Sequence, residues 1–186
     1  MSVLSWVASW TSPMSPTTKP AVKVAGGAVA VAAATWLAIA TPFVGGFEGY
    51  AKRPYVDTVG TGHPITWCYG ETAADGGKVP PMGTLFTKAE CTASLQEKLT
   101  KVYDPMVRKC INAKYLTPHR EAALVSFVYN LGPGALCNGP IGRYINAGNI
   151  AAGCNAMLAY DHAAGRRLAG LTARRQAEAA YCRRSD

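Results

Sequence analysis

Glu48 and Asp57 stand nine positions apart in a stretch where little else is acidic. Glycines and a proline between Asp57 and Thr66 demand a turn. Ile65-Thr66-Trp67-Cys68-Tyr69 then reads as a strand. A carboxyl on one arm of such a hairpin and a hydroxyl on the other can face each other. Two carboxyls beside a groove are the minimal apparatus for cleaving a glycosidic bond: one donates a proton, the other handles water or the sugar cation. Small and apolar neighbours (Gly45, Gly46, Phe47, Gly49 and Tyr50) could desolvate Glu48, which suits a proton donor. The competing reading makes it a surface glutamate at a helix end. Asp57 would stay ionised and orient water, or support an oxocarbenium ion; otherwise it is a turn aspartate ahead of Thr58. Thr66 would hold the water through its hydroxyl; otherwise it is an ordinary strand threonine.

Helices must carry this hairpin. Thr87-Lys88-Ala89-Glu90 has the form of a capping box. Behind it Cys91, Leu95, Leu99 and Val102 recur at helical spacing, predicting a helix to about Asp104 that Pro105 ends or kinks. Thr117-Pro118 predicts an N-cap followed by proline at the first helical position. The helix it opens closes at Gly132-Pro133-Gly134 and is apolar around most of its circumference, as a central buried helix is. Asn149 caps a further helix through Tyr160, and the last runs from about Thr172 to Arg184. Residues 73–86, rich in Gly and Pro, are loop. The expected class is α+β, mostly helical with one small antiparallel hairpin sheet.

The chain has 186 residues, enough for one domain and an appendage, and a net charge of +8 that suits an anionic partner. Cys68, Cys91, Cys110, Cys137, Cys154 and Cys182 include no Cys-x-x-Cys pair, which disfavours a zinc site. Three disulfides in an oxidising compartment are expected, with neighbour pairing (68–91, 110–137, 154–182) as one choice among fifteen. No two histidines fall at metal-ligand spacing, and His63 reads as a solvated loop residue. Gly60-Thr61-Gly62 lacks the lysine of a phosphate loop. Arg166, Arg167, Arg174, Arg175, Arg183 and Arg184 read as a solvated basic face without the interleaved aromatics of a nucleic-acid site.

Residues 1–23 form an irregular tail, within which Met14 is an alternative start. Residues 24–47 hold no charge; as a helix they span roughly 36 Å, against a bilayer core of about 30 Å. Lys19 and Lys23 precede the run, which sets the N-terminus in the cytoplasm and Glu48 outside. Ala, Val and Gly dominate, so insertion is weak. A buried core helix, a signal peptide cleaved after Ala38-Ile39-Ala40 and an uncleaved anchor are the three readings. The expected organisation is a tail (1–23), a weakly hydrophobic segment (24–45) and one domain (46–186).

Three motifs resemble the phage-type lysozymes, the muramidases of glycoside hydrolase family 24. Their signature is Glu, eight residues, Asp or Cys, five residues, then Thr. Glu48 and Asp57 fit, and Thr66 fits with three residues inserted. Thr66-Trp67-Cys68-Tyr69-Gly70 is similar to the family's Thr-x-Cys-x-Gly, while Glu71 stands where relatives more often carry His. Ser126-Phe127, Asn130 and Gly132 match a second run. Gly170-Leu171, Arg174-Arg175 and Glu178 match a third, so the resemblance covers about residues 46–184. It implies a lysozyme-like fold and an inverting phage endolysin that hydrolyses the β-1,4 bond between N-acetylmuramic acid and N-acetylglucosamine in peptidoglycan. Glu48 would be the acid, Asp57 and Thr66 the water-positioning pair. No metal or cofactor is implied. Arg174 or Arg175 would pair with Glu48, unless each instead bridges to Glu178 on its own helix face. The segment before Glu48 resembles that of signal-anchor-release endolysins. The host export machinery would insert it uncleaved in the inner membrane, leaving an inactive, monomeric enzyme tethered on the periplasmic side until release. A lytic transglycosylase and a non-catalytic, membrane-tethered peptidoglycan-binding module are the alternatives.

Overall fold

The computed structural model describes residues 27–58, 62–73 and 78–186, with side chains from Thr35 onward. The tail, with Trp6, Trp10, Met14, Lys19 and Lys23, lies outside the described residues, as do residues 24–26 and Thr61. Helices dominate. Helix α1 (Gly27–Glu48) leads into the antiparallel hairpin β1 (Ala51–Val56) and β2 (Ile65–Cys68). Then come α2 (Lys88–Lys98), α3 (Asp104–Cys110), α4 (Pro118–Leu131), α5 (Gly134–Cys137), α6 (Pro140–Asn146) and α7 (Ile150–Ala156). A second small hairpin, β3 (His162–Ala163) and β4 (Arg166–Arg167), precedes α8 (Ala169–Cys182).

Helix α4 is the axis of the fold. Thr117 caps it, Pro118 opens it and Gly132, at φ +74°, closes it. Every residue from Arg120 to Val128 is buried, as the all-round apolar character predicts. Helices α1, α3, α5 and α8 all pack against it.

The uncharged N-terminal segment joins this core. Trp36, Ala40 and Val44 recur every four residues and are almost completely buried. Burying side chains of the size of Trp36 and Val44 stabilises a fold by about 1.5–3 kcal/mol each. The expected boundary between residues 45 and 46 falls inside α1, which continues to Glu48 and stops at Gly49, at φ +74°. Among the described residues no helix is long and apolar enough to cross a membrane.

The capping box forms: the Thr87 hydroxyl accepts from the Glu90 amide at 3.2 Å, and the Glu90 carboxylate accepts from the Thr87 amide at 2.7 Å. The helix does not stop at Asp104. A wider π turn, Leu99–Tyr103, carries it into α3. Pro105 falls in the first turn of α3, where a missing N–H is tolerated. The wide turn also shifts the helical phase, so Val102 is 37% exposed rather than part of the buried stripe. Helix α8 begins at Ala169, three residues earlier than expected. The α5 and α6 turns and the β3–β4 hairpin have no counterpart in the sequence expectation because each is too short to show periodicity.

All six cysteines are paired in neighbour order. Cys68–Cys91 joins β2 to α2, Cys110–Cys137 joins α3 to α5, and Cys154–Cys182 joins α7 to α8. Closing loops of 23, 27 and 28 residues disfavours the unfolded chain by about 3 kcal/mol each in the loop-entropy account. Helices α6 and α7 touch at Gly153, where a Cβ would lie 2.5 Å from Ile145 Cγ1.

A buried acid pair links α3 to α4. Arg108 Nε donates to Asp104 at 2.8 Å, and Arg108 Nη2 donates to Glu121. Burial, with the Asp104 hydrogen bond and charge adding and Arg108 opposing, pushes the Glu121 carboxyl up to about 8. Between pH 5 and 8 the unfolded chain therefore releases this proton while the folded one keeps it. The neutral form favours the fold at low pH, and that advantage is lost as pH rises towards 8. Glu121→Gln removes the titration, so its Tm should change less between pH 5 and 8 than that of the parent chain. Thermal unfolding followed by circular dichroism at the two pH values checks this.

Candidate active site

Glu48 is the last residue of α1, and its carboxylate lies between α8 and the turn that follows β2. Arg174 Nη1 of α8 donates to Glu48 Oε1 at 2.6 Å. Glu48 Oε2 faces Gly70, where a Cβ would sit 3.3 Å away. Gly70, at φ +82°, lies in a tight turn at the end of β2, closed by reciprocal backbone hydrogen bonds between Trp67 and Glu71. A side chain at position 70 would be strained in the backbone and crowd the carboxylate. Helix α4 fixes this turn, with the Tyr129 hydroxyl donating to the Tyr69 carbonyl at 2.7 Å. Cys68–Cys91 fixes it covalently from the other side.

A cleft of about 490 Å³ opens beside the pair, lined by Phe47, Glu48, Asn130, Leu171 and Arg174 among others. The Glu48 side chain retains 20% of its exposure and Arg174 only 5%. The acid is thus partly open to solvent while the arginine is enclosed.

The hairpin carries the other two candidates. Tyr55 pairs with Thr66, Val56 with Ile65, and Asp57 N donates to Pro64 O at 2.9 Å. Because strand side chains alternate, this register sets Asp57 and Thr66 on one face of the hairpin, diagonal to each other. The two arms do not run evenly: four positions from Ala51 to Tyr55 oppose two from Cys68 to Thr66. This irregularity belongs to β1 and is separate from the three extra residues in the turn. Thr66 is buried, and its hydroxyl lies 3.5 Å from the Pro64 carbonyl. His63, in the turn, has φ +48° and is exposed.

Both pairings considered for the arginines occur at once. Arg174 Nε donates to Glu178 at 3.1 Å and Nη2 to the Ser126 carbonyl at 3.2 Å, while Nη1 serves Glu48. Arg175 Nη1 lies 2.9 Å from the other oxygen of Glu178, and its Nη2 donates to Asn130. The Ser126 hydroxyl donates to Glu178 at 2.7 Å. The Arg175 guanidinium rests over the Phe127 ring and that of Arg174 over Phe47. Burial pushes the Glu178 carboxyl up, opposed by the two guanidiniums and the hydroxyl of Ser126. Burial also pulls the Arg175 guanidinium down, opposed by Glu178.

These positions correct the reading of a solvated basic face. Arg174 and Arg175 are 4% and 0% exposed because they turn inward to three carboxylate or amide partners. Sequence reasoning weighed Glu178 only as a competing partner. Its spacing, i+4 from Arg174 and i+3 from Arg175, is the signal that it meets both. Glu71, where the resemblance leads one to expect histidine, is buried away from the cleft. It accepts from Ser94 at 2.8 Å and lies 3.6 Å from Lys98. Among the described residues no group of histidine, cysteine and carboxylate side chains could hold a metal ion.

The family model for phage lysozyme matches residues 45–178. The chain is 34% identical to a SAR-endolysin of Bacteriophage PS119, over 91% of this chain and 96% of the relative. A SAR-endolysin of Enterobacteria phage P21 is 33% identical, over 91% and 97% of the two chains. Among solved structures, the endolysin from Escherichia coli O157:H7 phage FAHEc1 superposes with a TM-score of 0.66 at 28% identity, covering 82% of this chain and 92% of that one. With Glu48 at the head of the matched region and the matched fold around it, the chain belongs to the phage lysozyme family of glycosidases.

Proposed function

We propose that this chain is a phage endolysin that hydrolyses the β-1,4 bond between N-acetylmuramic acid and N-acetylglucosamine in peptidoglycan. The observation that carries the reading is the Glu48 carboxylate, fixed by Arg174 at the edge of a cleft. Glu48 protonates the leaving oxygen as general acid. Asp57 and the Thr66 hydroxyl position a water on the opposite face of the sugar, so the product is inverted. No step calls on a metal or a cofactor.

Glu48→Gln keeps the shape and hydrogen-bonding reach of the side chain but cannot donate a proton in the same way. Loss of a general acid costs about 10²–10⁴-fold in rate. Clearing of purified cell walls should therefore fall by that factor with the near-ultraviolet circular dichroism preserved; retained lysis would remove Glu48 from this role. Mass spectrometry of the released fragments should show the gain of one water. An anhydro sugar would instead identify a lytic transglycosylase.

The name SAR-endolysin borne by the relatives supports a tethered precursor. In this reading residues 24–45 are carried uncleaved into the host inner membrane by the export machinery, with the domain on the periplasmic side. Release returns α1 to the core, where Trp36, Ala40 and Val44 have their places. Glu48 follows the segment by only three residues. It reaches Arg174 and Gly70 only once α1 is docked, which keeps the tethered enzyme inactive.

Gly46 tests this cleanly. A Cβ there meets nothing within 4 Å, whereas one at Gly45 would press on the Tyr69 ring at 3.2 Å. Gly26→Leu and Gly27→Leu together with Gly46→Leu should hold more of the protein in the membrane fraction and delay lysis. Unchanged partition and timing would exclude the tether.

A further inference from the structure

Arg174 presents a difficulty for the proposed acid. A guanidinium beside a carboxyl favours its ionised form, and a proton donor must be able to hold its proton. An arginine free to turn its whole fork onto a carboxylate makes the tightest such pair. Here only Nη1 reaches Glu48. Nε is taken by Glu178, and Nη2 by the Ser126 carbonyl.

We infer that Glu178, which lies beyond the reach of any substrate, is a positioning residue for the reaction: it anchors Arg174 through Nε and matches its charge, so that the guanidinium stays in place while Glu48 gains and loses its proton. The inference rests on Glu48 being the acid.

Glu178 is 0% exposed and does not line the cleft. The four charged groups of the network are Glu48, Arg174, Arg175 and Glu178, two positive and two negative. Arg175 is electrostatically coupled to Glu48 as well as to its direct partner Glu178. Among the described residues no other charge is paired with Glu178. From α4 it meets the Ser126 hydroxyl. In the first turn of that helix, His119 pairs with Asp186, Arg120 bonds the Cys182 carbonyl and Glu121 pairs with Arg108. Helix α7 and the turn Met157–Ala159, both packed on α8, contain no charged residue. Removing the Glu178 charge therefore leaves one positive charge unmatched beside Glu48, and removing that of Arg175 leaves one negative charge.

The test compares pH profiles of cell-wall clearing for the parent chain, Glu178→Gln and Arg175→Gln, each verified as folded by near-ultraviolet circular dichroism. Glu178→Gln should move the alkaline limb to lower pH by about one unit, and Arg175→Gln should move it to higher pH. Opposite displacements are a signature of charge that simple loss of packing does not produce. Folded variants whose limbs stay at the parent position, or move together, overturn the inference. If Glu48→Gln remains active, the site itself has been misread, which is a separate outcome.

A second measurement needs no variant at these buried positions. In the parent chain, the Arg174 Nε–H resonance should persist, protected from solvent, on both sides of the alkaline limb. Its loss as the limb is crossed would show that Arg174 follows Glu48, and the inference fails.

Discussion

The structure depends on one guanidinium shared by two carboxylates. Arg174 reaches Glu48 at the end of α1 with one nitrogen and Glu178 on its own helix with another. A buried ion pair gains stability only when each lone pair and each proton finds a partner. Ser126, Asn130 and Arg175 supply most of those partners from α4 and α8. Two runs of sequence separated by some forty residues are thus the two halves of one buried network. Its outer member stands in the cleft.

The position of Glu48 also depends on α1, whose composition is unusual for a core helix. Alanine and glycine bring little apolar area to either lipid or protein. Trp36, Ala40 and Val44 are buried, Leu37 and Ile39 pack against the core, and Phe43 lies against Tyr181. Pro42 within the helix removes one backbone hydrogen bond and weakens it further. Such a helix can be taken up by the domain without being irreversibly committed to it. The last turn, with Phe47 against Arg174, holds the acid in register.

Much of this was legible in the sequence because local rules fixed it. The Thr87 capping box, the Thr117-Pro118 start, the Gly132 stop and the Asp57-to-Thr66 turn each rest on neighbours a few residues apart. What escaped the sequence rests on distant partners. The burial of Arg175 depended on Asn130, 45 positions away. The role of Ser126 depended on Glu178, 52 positions away. The uncharged run before Glu48 gave no sign of which face would be buried, since small residues surround the helix on every side. Pro105 signals an end or a kink, and the choice between them rested on the π turn just before it, through which the chain continues.

The cysteine pairs have a further consequence. Every cysteine lies at position 68 or later, so α1 is joined to the rest of the domain by a single peptide connection. The cross-linked framework can be completed by oxidation while the first helix is still elsewhere. In the proposed tethered precursor, docking of α1 would then require no further covalent cross-link.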